Sequence, residues 1–463
     1  MDRKFVNRKK ELEFLQREFN KAESSLIIIY GRRRIGKTAL IKEFIKDKPA
    51  VYFLASEEQE RENLLTLKNL IADYANQPLL KKGTDFSWED LFMVFKDYQK
   101  EQKKVLVIDE FQYLGKVNKA FPSVLQRIWD QLLKDENIMV ILCGSLIHMM
   151  ESQALVYSSP LYGRRSGQIK MKQISFEHYG DFFADKSDKE LIEFYAVTGG
   201  VPQYIEMFKN ETDIYEGIKR NILSKESFLY EEPLFLLERE VSDITSYFSI
   251  IKTIAKGNHK LGKIASALGV PQTNLTKYLS TLINLDLIDR QVPITETNPE
   301  KSKKGLYFIK DHFIEFWFKF IYPYRNSLEM GDLQYVITRI KEHFNDTHVS
   351  FVYEKVSMEK LWIYNKENQF PFKIVKLGKW WNKSEEIDIV GLNEETGDIL
   401  FGECKYLNKE ADEEIFYRLQ QKARQVEWNK PNRKEYYVIF SKSGFSEKLI
   451  QFSKRRDDLW LMQ

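Results

Sequence analysis

The first half of the chain contains three short runs of consecutive apolar residues, each followed by small, polar or charged residues. The runs occupy residues 26–30, 105–108 and 139–143. Continuous apolar runs of this length are typical of strands buried on both faces of a parallel sheet. Apolar residues at helical spacing follow the first run, at Ala39, Leu40, Ile41 and Phe44. The pattern therefore predicts an α/β core built on a parallel sheet.

The segment between the first run and its helix reads GRRRIGKT, residues 31–38. It matches the phosphate-binding pattern G-x-x-x-x-G-K-S/T in the strand–loop–helix context that the pattern requires. The glycines let backbone N–H groups surround a phosphate, and the helix N-terminus adds a positive dipole end. We expect Lys37 to reach the β- and γ-phosphates and Thr38 to bind Mg²⁺. The candidate nucleotide-binding residues of this loop are Gly31, Arg32, Arg33, Arg34, Ile35, Gly36, Lys37, Thr38 and Ala39.

The second apolar run ends in an acidic pair, Asp109-Glu110. Asp109 is placed to bind the hydration shell of Mg²⁺, and Glu110 can polarise the attacking water. A pair of acids at the exit of a strand, together with the phosphate-binding loop, indicates hydrolysis rather than binding alone. Each of the three loop arginines either contacts phosphate or DNA or lies on a solvated loop face.

Two further candidates for the nucleotide site follow the third apolar run. Ser145 ends that run and either senses the γ-phosphate or caps the next helix. Arg164 and Arg165, in a glycine-flanked turn, either neutralise charge that develops in the transition state or lie on a basic surface turn. The chain has no N-K-x-D sequence of the guanine-binding type, which favours ATP over GTP.

Five sequence stretches together resemble the archaeal-type P-loop ATPases, which belong to the STAND branch near AAA+ proteins. They are FVNRKKELEFL at residues 5–15, GRRRIGKT, VIDEFQYL at 107–114, LYGRR at 161–165 and TGGVP at 198–202. The resemblance covers nearly the whole chain. It implies that Asn7 and Arg8 lie near the adenine, and that Pro202 lies in a helical lid and approaches the nucleotide.

Residues 257–309 have the pattern of two short helices separated by a Gly-Val-Pro turn, followed by a hairpin around a lysine-rich loop. A helix–turn–helix with a hairpin is a winged helix. If it reads DNA, Gln272, Asn274, Thr276 and Lys277 face the major groove and the loop lysines contact phosphates. In related ATPases the same fold often packs inside the protein as an arm of a switch. Both alternatives remain open from the sequence.

The C-terminal stretch EEIDIVGLNEETGDILFGECKY, residues 385–406, places charged residues inside two apolar runs. An even-membered turn centred on Glu395 and Thr396 puts Leu392 opposite Ile399 and Asp388 opposite Glu403. Lys405 then shares their face. Opposed carboxylates are destabilising unless a cation joins them, and Mg²⁺ prefers such oxygen ligands.

This arrangement resembles the PD-(D/E)XK nuclease fold, in which a glutamate on the preceding helix completes the metal site. Glu354 occupies that position, and the predicted element order α–β–β–β–α–β fits the fold. The proline of the motif is absent, because Ile387 precedes Asp388. The resemblance implies that Glu354, Asp388 and Glu403 bind a metal and that Glu403 and Lys405 take part in catalysis. The alternatives are a structural Asp–Lys pair and a nuclease fold without activity.

Length and composition set the remaining expectations. With about 150 residues per domain, the 463 residues suggest about three domains. The motifs and the resemblance divide the chain into an ATPase core at 1–173, a helical lid at 174–245, a winged helix at 246–310 and a linker helix with a restriction-endonuclease-like α/β domain at 311–463. The formal net charge of +3 does not indicate a class of binding partner. The two cysteines, Cys143 and Cys404, exclude a disulfide scaffold and fit a reducing cytoplasm.

No apolar run is long enough to span a membrane, and no signal peptide is expected. The sequence is best interpreted as a STAND/AAA+-type ATPase that uses ATP and Mg²⁺ and is coupled to a magnesium-dependent nuclease-like domain. DNA is favoured over RNA as the partner, and a homo-oligomer is compatible with the sequence. The alternative is an ATP-driven regulatory switch whose winged helix and C-terminal domain only bind nucleic acid or protein.

Overall fold

Two five-stranded sheets organise the chain, and a separate two-stranded sheet lies between them in sequence. The computed structural model describes residues 5–83 and 85–463. The chain divides into two compact units. The first contains the chain up to Ile174, together with Val201–Gln203 and Glu238–Ser242, and the second contains the remainder. None of the helices within the described ranges has both the length and the apolar character needed to cross a membrane.

The sheet of the first unit is parallel throughout, with strand order β2-β3-β4-β1-β5. Its strands are β1 (Ser25–Tyr30), β2 (Ala50–Leu54), β3 (Lys104–Asp109), β4 (Ile138–Gly144) and β5 (Gly167–Lys170). Every residue of β1, β3 and β4 is buried, which explains why these strands are continuous apolar runs. The predicted α/β core with a parallel sheet is confirmed.

Helices connect these strands and extend beyond them. In the first unit they are α1 (Lys9–Phe19), α2 (Lys37–Ile45), α3 (Glu60–Tyr74), α4 (Pro78–Lys82), α5 (Trp88–Asp97), α6 (Gln112–Val117), α7 (Phe121–Ile128) and α8 (Ile147–Met150). The next helices along the chain are α9 (Asp188–Thr198), α10 (Pro202–Phe208), α11 (Ile214–Ile218) and α12 (Glu232–Glu240). Serine capping boxes begin α5 and α9, at Ser87 and Ser187, which satisfies backbone N–H groups at their first turns.

The segment predicted as a winged helix forms helices and a hairpin. Its elements are α13 (Ile244–Ala255), α14 (Leu261–Leu268), α15 (Gln272–Asn284), β6 (Ile288–Gln291) and β7 (Leu306–Ile309). Strands β6 and β7 are antiparallel. Gly269, with φ of +67°, ends α14, so that α15 can begin three residues later. On α15, Gln272, Asn274, Thr276 and Lys277 are exposed while Leu275 and Leu279 are buried.

The second large sheet is mixed, with strand order β12-β11-β10-β9-β8. Its strands are β8 (Lys376–Trp381), β9 (Glu386–Asn393), β10 (Asp398–Lys405), β11 (Lys434–Ser441) and β12 (Leu459–Met462). The helices of this part are α16 (His312–Phe316), α17 (Arg325–Glu329), α18 (Leu333–Phe344), α19 (Ser350–Lys366), α20 (Glu413–Ala423) and α21 (Glu447–Ser453). Strands β8, β9 and β10 are antiparallel neighbours, whereas β10, β11 and β12 are parallel.

The hairpin of β9 and β10 has the predicted register. Leu392 lies opposite Ile399, and the ladder continues to Ile389 opposite Gly402. Asp388 and Glu403 are the next residues on the two strands. The turn is tight because the Asn393 side chain accepts hydrogen bonds from the backbone N–H groups of Glu395 and Thr396. The element order α19-β8-β9-β10-α20-β11 matches the predicted order.

Candidate nucleotide site and C-terminal charge cluster

The phosphate-binding loop connects the end of β1 to the start of α2, and its backbone requires glycine at one end. A Cβ atom on Gly31 would lie 2.6 Å from the Met171 carbonyl oxygen, so no side chain fits there. Gly36 has φ of +91°, which favours glycine, and Arg34 also has a positive φ of +68°. This geometry turns the loop around the helix N-terminus, as the sequence pattern predicts.

The ammonium group of Lys37 lies inside this loop. Its Nζ donates hydrogen bonds to the carbonyl oxygens of Gly31, at 2.8 Å, and Arg32, at 2.7 Å. Lys37 is buried, and burial lowers its pKa. Two loop carbonyls hold the amine at the place where the loop would surround a phosphate, so the residues present fit a polyphosphate ligand.

Thr38 and Asp109 lie next to each other, as a shared magnesium site requires. The Thr38 hydroxyl donates to Asp109 Oδ2 at 3.0 Å. Tyr52, on the neighbouring strand β2, donates its hydroxyl to the same oxygen. Hydroxyl and carboxylate oxygens are the ligands that Mg²⁺ prefers. Tyr52 was missed by the sequence analysis, because no motif marks it and only the pairing of β2 with β3 brings it to Asp109.

Glu110 is held by the residue predicted to sense the γ-phosphate. The Ser145 hydroxyl lies 2.7 Å and 3.0 Å from the two carboxylate oxygens of Glu110, and the Gln112 amide also donates to Glu110. The alternative that Ser145 caps the next helix is wrong, because Leu146 occupies the N-cap position of α8. Ser145 therefore holds the Glu110 carboxylate at the end of β4.

The two candidate arginines of the turn make other contacts. Arg164 forms a two-pronged ion pair with Asp130, at 2.8 Å and 3.0 Å, which raises the pKa of Arg164. Arg165 donates to the Leu155 carbonyl at 2.8 Å and its guanidinium lies 4.8 Å from the centre of the Tyr162 ring. These contacts do not bring either arginine to the phosphate-binding loop, so their catalytic role stays a prediction.

The residues that the resemblance places near the nucleotide occupy the rim of the loop. Arg8 is buried and donates to the carbonyls of Ile35, at 3.2 Å, and Lys172, at 2.6 Å, which ties the loop to the start of the chain. Asn7 accepts a hydrogen bond from the Arg8 backbone N–H at 2.7 Å. Pro202 Cγ lies 3.8 Å from where a Cβ of Gly36 would stand. The contact of Asn7 and Arg8 with adenine and the approach of Pro202 to the nucleotide remain predictions.

A second cluster of charges lies on the C-terminal sheet. Asp388 and Glu403 are both buried, and the Cys404 backbone N–H donates to Asp388 Oδ2 at 2.9 Å. Glu403 accepts hydrogen bonds from Lys405, at 2.6 Å, and from Lys422 on α20, at 3.0 Å. The carboxylate of Glu354, on α19, pairs with Lys379 of β8.

The acids of this cluster act on one another. Burial, followed by the charges of Glu354 and Glu403, raises the pKa of Asp388 to about 7. Burial also raises the pKa of Glu354. Burial lowers the pKa of Lys379, but the Glu354 carboxylate outweighs that effect and raises it above its ordinary value. The buried carboxylates therefore repel one another, and nearby cations relieve that repulsion.

The predicted metal arrangement differs from the one observed. Across residues 5–83 and 85–463, no group of three or more His, Cys, Asp or Glu side chains is arranged to hold a metal ion. Instead, lysine ammonium groups pair with Glu354 and Glu403 and supply the charge compensation that the sequence analysis assigned to a metal. Lys379 and Lys422 were missed, because both come from outside the D–ExK motif.

Comparison with known proteins identifies the family of the chain. Residues 5–208 match a family described as an ATPase domain predominantly from Archaea. An uncharacterized protein of Methanocaldococcus jannaschii is 38% identical over 440 residues, which cover 95% of each chain. The chain belongs to this archaeal ATPase family. Residues 317–416 also match a family described as "Archaea bacterial proteins of unknown function".

Two further comparisons concern the ATPase part. An uncharacterized ATP-binding protein of Methanocaldococcus jannaschii is 64% identical over 44 residues, which are 10% of this chain and 75% of that protein. The Walker-type ATPase of Pyrococcus abyssi superposes with a TM-score of 0.54 at 22% identity, over 68% of this chain and 96% of that one. This likeness shows that the first unit of the chain has the fold of a P-loop ATPase.

The first prediction concerns the phosphate-binding loop. Replacing Lys37 with alanine should abolish nucleotide binding measured by calorimetry, because the phosphates lose the buried ammonium group. Glu110→Gln should keep binding and reduce ATP turnover by on the order of 100-fold, the usual contribution of a general base. Lys46→Ala, an exposed lysine at the end of the same helix, is the matched control and should change neither. Equal turnover in Glu110→Gln and the wild type would remove Glu110 from catalysis.

The second prediction concerns the stability of the C-terminal sheet. The pKa of Asp388 is raised to about 7 in the folded chain, above roughly 3.9 for an unfolded aspartate. Folding therefore costs free energy when Asp388 is ionised, and the cost grows as the pH rises between these values. Asp388→Asn should raise the melting temperature more at pH 8 than at pH 5, by about 3 °C or more. An equal shift at both pH values would contradict the raised pKa.

The control for this comparison of melting temperatures is Glu395→Gln. Glu395 lies exposed in the turn of the same hairpin, so its substitution removes the same charge from solvent. We expect no pH-dependent change in its melting temperature.

Proposed function

We propose that this protein hydrolyses ATP with Mg²⁺ as an enzyme of the STAND/AAA+ type. The observation that carries this proposal is the convergence of Lys37, the Thr38–Asp109 pair and Glu110 at the carboxyl ends of β1 and β3. Thr38 and Asp109 would hold Mg²⁺, which offsets the charge of the β- and γ-phosphates. Lys37 binds the same phosphates, and Glu110 orients the attacking water and accepts its proton.

Ser145 would control whether Glu110 is available to the attacking water. Its hydroxyl is hydrogen-bonded to Glu110, so the carboxylate is directed toward β4. A γ-phosphate that accepts the Ser145 hydroxyl would release Glu110 to the water. Arg164 reaches the nucleotide only if the Asp130 pair opens, since its Nε and Nη2 groups both donate to Asp130.

For the C-terminal domain we propose a magnesium-dependent nuclease-like activity on DNA. The support is the position of Asp388 and Glu403 on adjacent strands with Glu354 on the preceding helix, where the charges of Glu354 and Glu403 act on Asp388. Their carboxylate oxygens are the hard donors that Mg²⁺ prefers, and a bound ion would have to displace the lysine partners of Glu354 and Glu403. There it would activate a water and neutralise the scissile phosphate. Lys405, already 2.6 Å from Glu403, would turn to the phosphate backbone.

One observation favours the alternative, in which the C-terminal domain only binds its partner. Three acids and three lysines already balance one another in the cluster: Glu354, Asp388, Glu403, Lys379, Lys405 and Lys422. A balanced cluster needs no metal for stability. In that alternative the ATP state controls a binding module, and the exposed polar face of α15 contacts nucleic acid.

The third prediction separates these two functions. Purified protein with Mg²⁺ or Mn²⁺ should cleave DNA, and Asp388→Ala should remove both metal binding and cleavage. Lys405→Ala should keep metal binding but lose cleavage, because a transition-state contact is lost while the ground-state site is intact. ATP hydrolysis should survive both changes. If the wild type binds single- or double-stranded DNA or RNA but cleaves none of them with any metal, the binding module is the correct function.

A matched control for the cleavage assay is Asp398→Ala. Asp398 is a buried carboxylate on the same strand β10, but it lies at the hairpin end, opposite Asn393. Its substitution tests whether loss of activity follows from damage to the sheet in general. We expect Asp398→Ala to keep cleavage wherever the variant remains folded by circular dichroism.

The fourth prediction concerns the connection between ATP and the rest of the chain. The proposed order along the chain is ATPase core, lid, helix–turn–helix and C-terminal domain. Hydrogen exchange with and without a non-hydrolysable ATP analogue should show altered protection in residues 257–309. The Lys37→Ala variant should show no such change, because it binds no analogue. An unchanged pattern in the wild type with bound analogue would contradict a switch that runs through this segment.

A further inference from the structure

Glu240 is an acid of the nucleotide site that no motif in the sequence marks. It is the last residue of α12, and the residues around it, Glu238–Ser242, belong to the first compact unit together with the phosphate-binding loop. Its carboxylate accepts a hydrogen bond from the backbone N–H of Ile147, two residues after Ser145. Glu240 therefore lies at the carboxyl end of β4, beside the site built by β1 and β3.

The surroundings of this carboxylate are positively charged. The charges of Arg32, Lys37 and Arg33 all act on Glu240, and Glu240 in turn acts on Lys37. These three cations belong to the phosphate-binding loop. The carboxylate is thus within the electrostatic reach of the same groups that the phosphates of a nucleotide would meet.

The burial of one carboxylate oxygen of Glu240 is costly for the fold. Its Oε2 is buried and has no hydrogen-bond partner within the described ranges 5–83 and 85–463. Burial raises the pKa of Glu240 to about 7, although the loop cations act in the opposite direction. A buried carboxylate oxygen without a partner is unfavourable, since it has lost its water and gained no donor. Stability alone does not explain this placement, and such groups concentrate at functional sites.

We propose that Glu240 is an internal anion of the nucleotide site, which competes with the phosphates of the incoming nucleotide for the positive charges of the loop. The inference rests on the proposed ATP site and adds a residue that sets its affinity. When a polyphosphate arrives, its charges lie near an ionised carboxylate of the same sign. Glu240 must then move away or take up a proton, and either change weakens binding.

The test is the affinity for nucleotide in variants at this position. Glu240→Gln removes the charge but keeps the side-chain shape and an acceptor for the Ile147 N–H. It should bind a non-hydrolysable ATP analogue with Mg²⁺ about tenfold more tightly than the wild type, the effect of one nearby like charge in a partly screened site. The gain should be smaller for ADP, which carries less negative charge. Glu240→Ala, measured in parallel, should also bind more tightly.

The matched control is Glu238→Gln, an exposed glutamate two residues earlier on the same helix. It removes the same charge from the chain and should leave the Kd unchanged. Equal Kd values for Glu240→Gln and the wild type would overturn the inference and leave the ATP site intact. Weaker binding by both Glu240 variants would also overturn it, because Glu240 would then support the nucleotide. Absence of nucleotide binding in the wild type would overturn the ATP site itself.

Discussion

Parallel pairing of β4 with both β1 and β3 is the constraint on which the nucleotide site depends. Cys143 pairs with Ile29 of β1, and Leu142 pairs with Ile108 of β3, so the three strands end at one edge of the sheet. The loop that holds Lys37, the acid Asp109 and the serine Ser145 each follow or end one of these strands. A shift in either register would separate the ammonium group from the acids. The buried apolar faces of the strands make such a shift costly.

The C-terminal cluster depends on a different kind of constraint, the length of a turn. The four residues 394–397 connect β9 to β10, and this even number places Asp388 and Glu403 at corresponding positions. The two sites share a chemical logic, since each buries carboxylates beside ammonium groups. They differ in which groups pair with the acids. Lysines pair with two acids of the C-terminal cluster, whereas the ammonium of Lys37 is held by backbone carbonyls and leaves its acids to other partners.

Most of the fold and part of each site could be predicted from the sequence, because those features have local signals. The phosphate-binding loop, the acids after β3 and the hairpin register follow from residue spacing within single segments. Tyr52, Lys422 and Glu240 could not be predicted. Each comes from another segment and reaches its partner only through tertiary packing. A lone tyrosine, lysine or glutamate on an ordinary helix or strand belongs to no sequence pattern that would indicate its contacts. The Arg164–Asp130 pair was missed for the same reason.

The hairpin turn also has a consequence for how this protein can be engineered. Surface turns are ordinarily the places where a tag, a label or an inserted peptide is tolerated. In this turn, an insertion that re-paired the strands out of step by one residue would reverse the faces of one strand, moving its apolar side chains to the opposite side of the sheet. Asn393, which closes the turn by accepting two backbone N–H groups, would lose that geometry. The turn of residues 394–397 is therefore a poor site for modification, although two of its glutamates lie exposed.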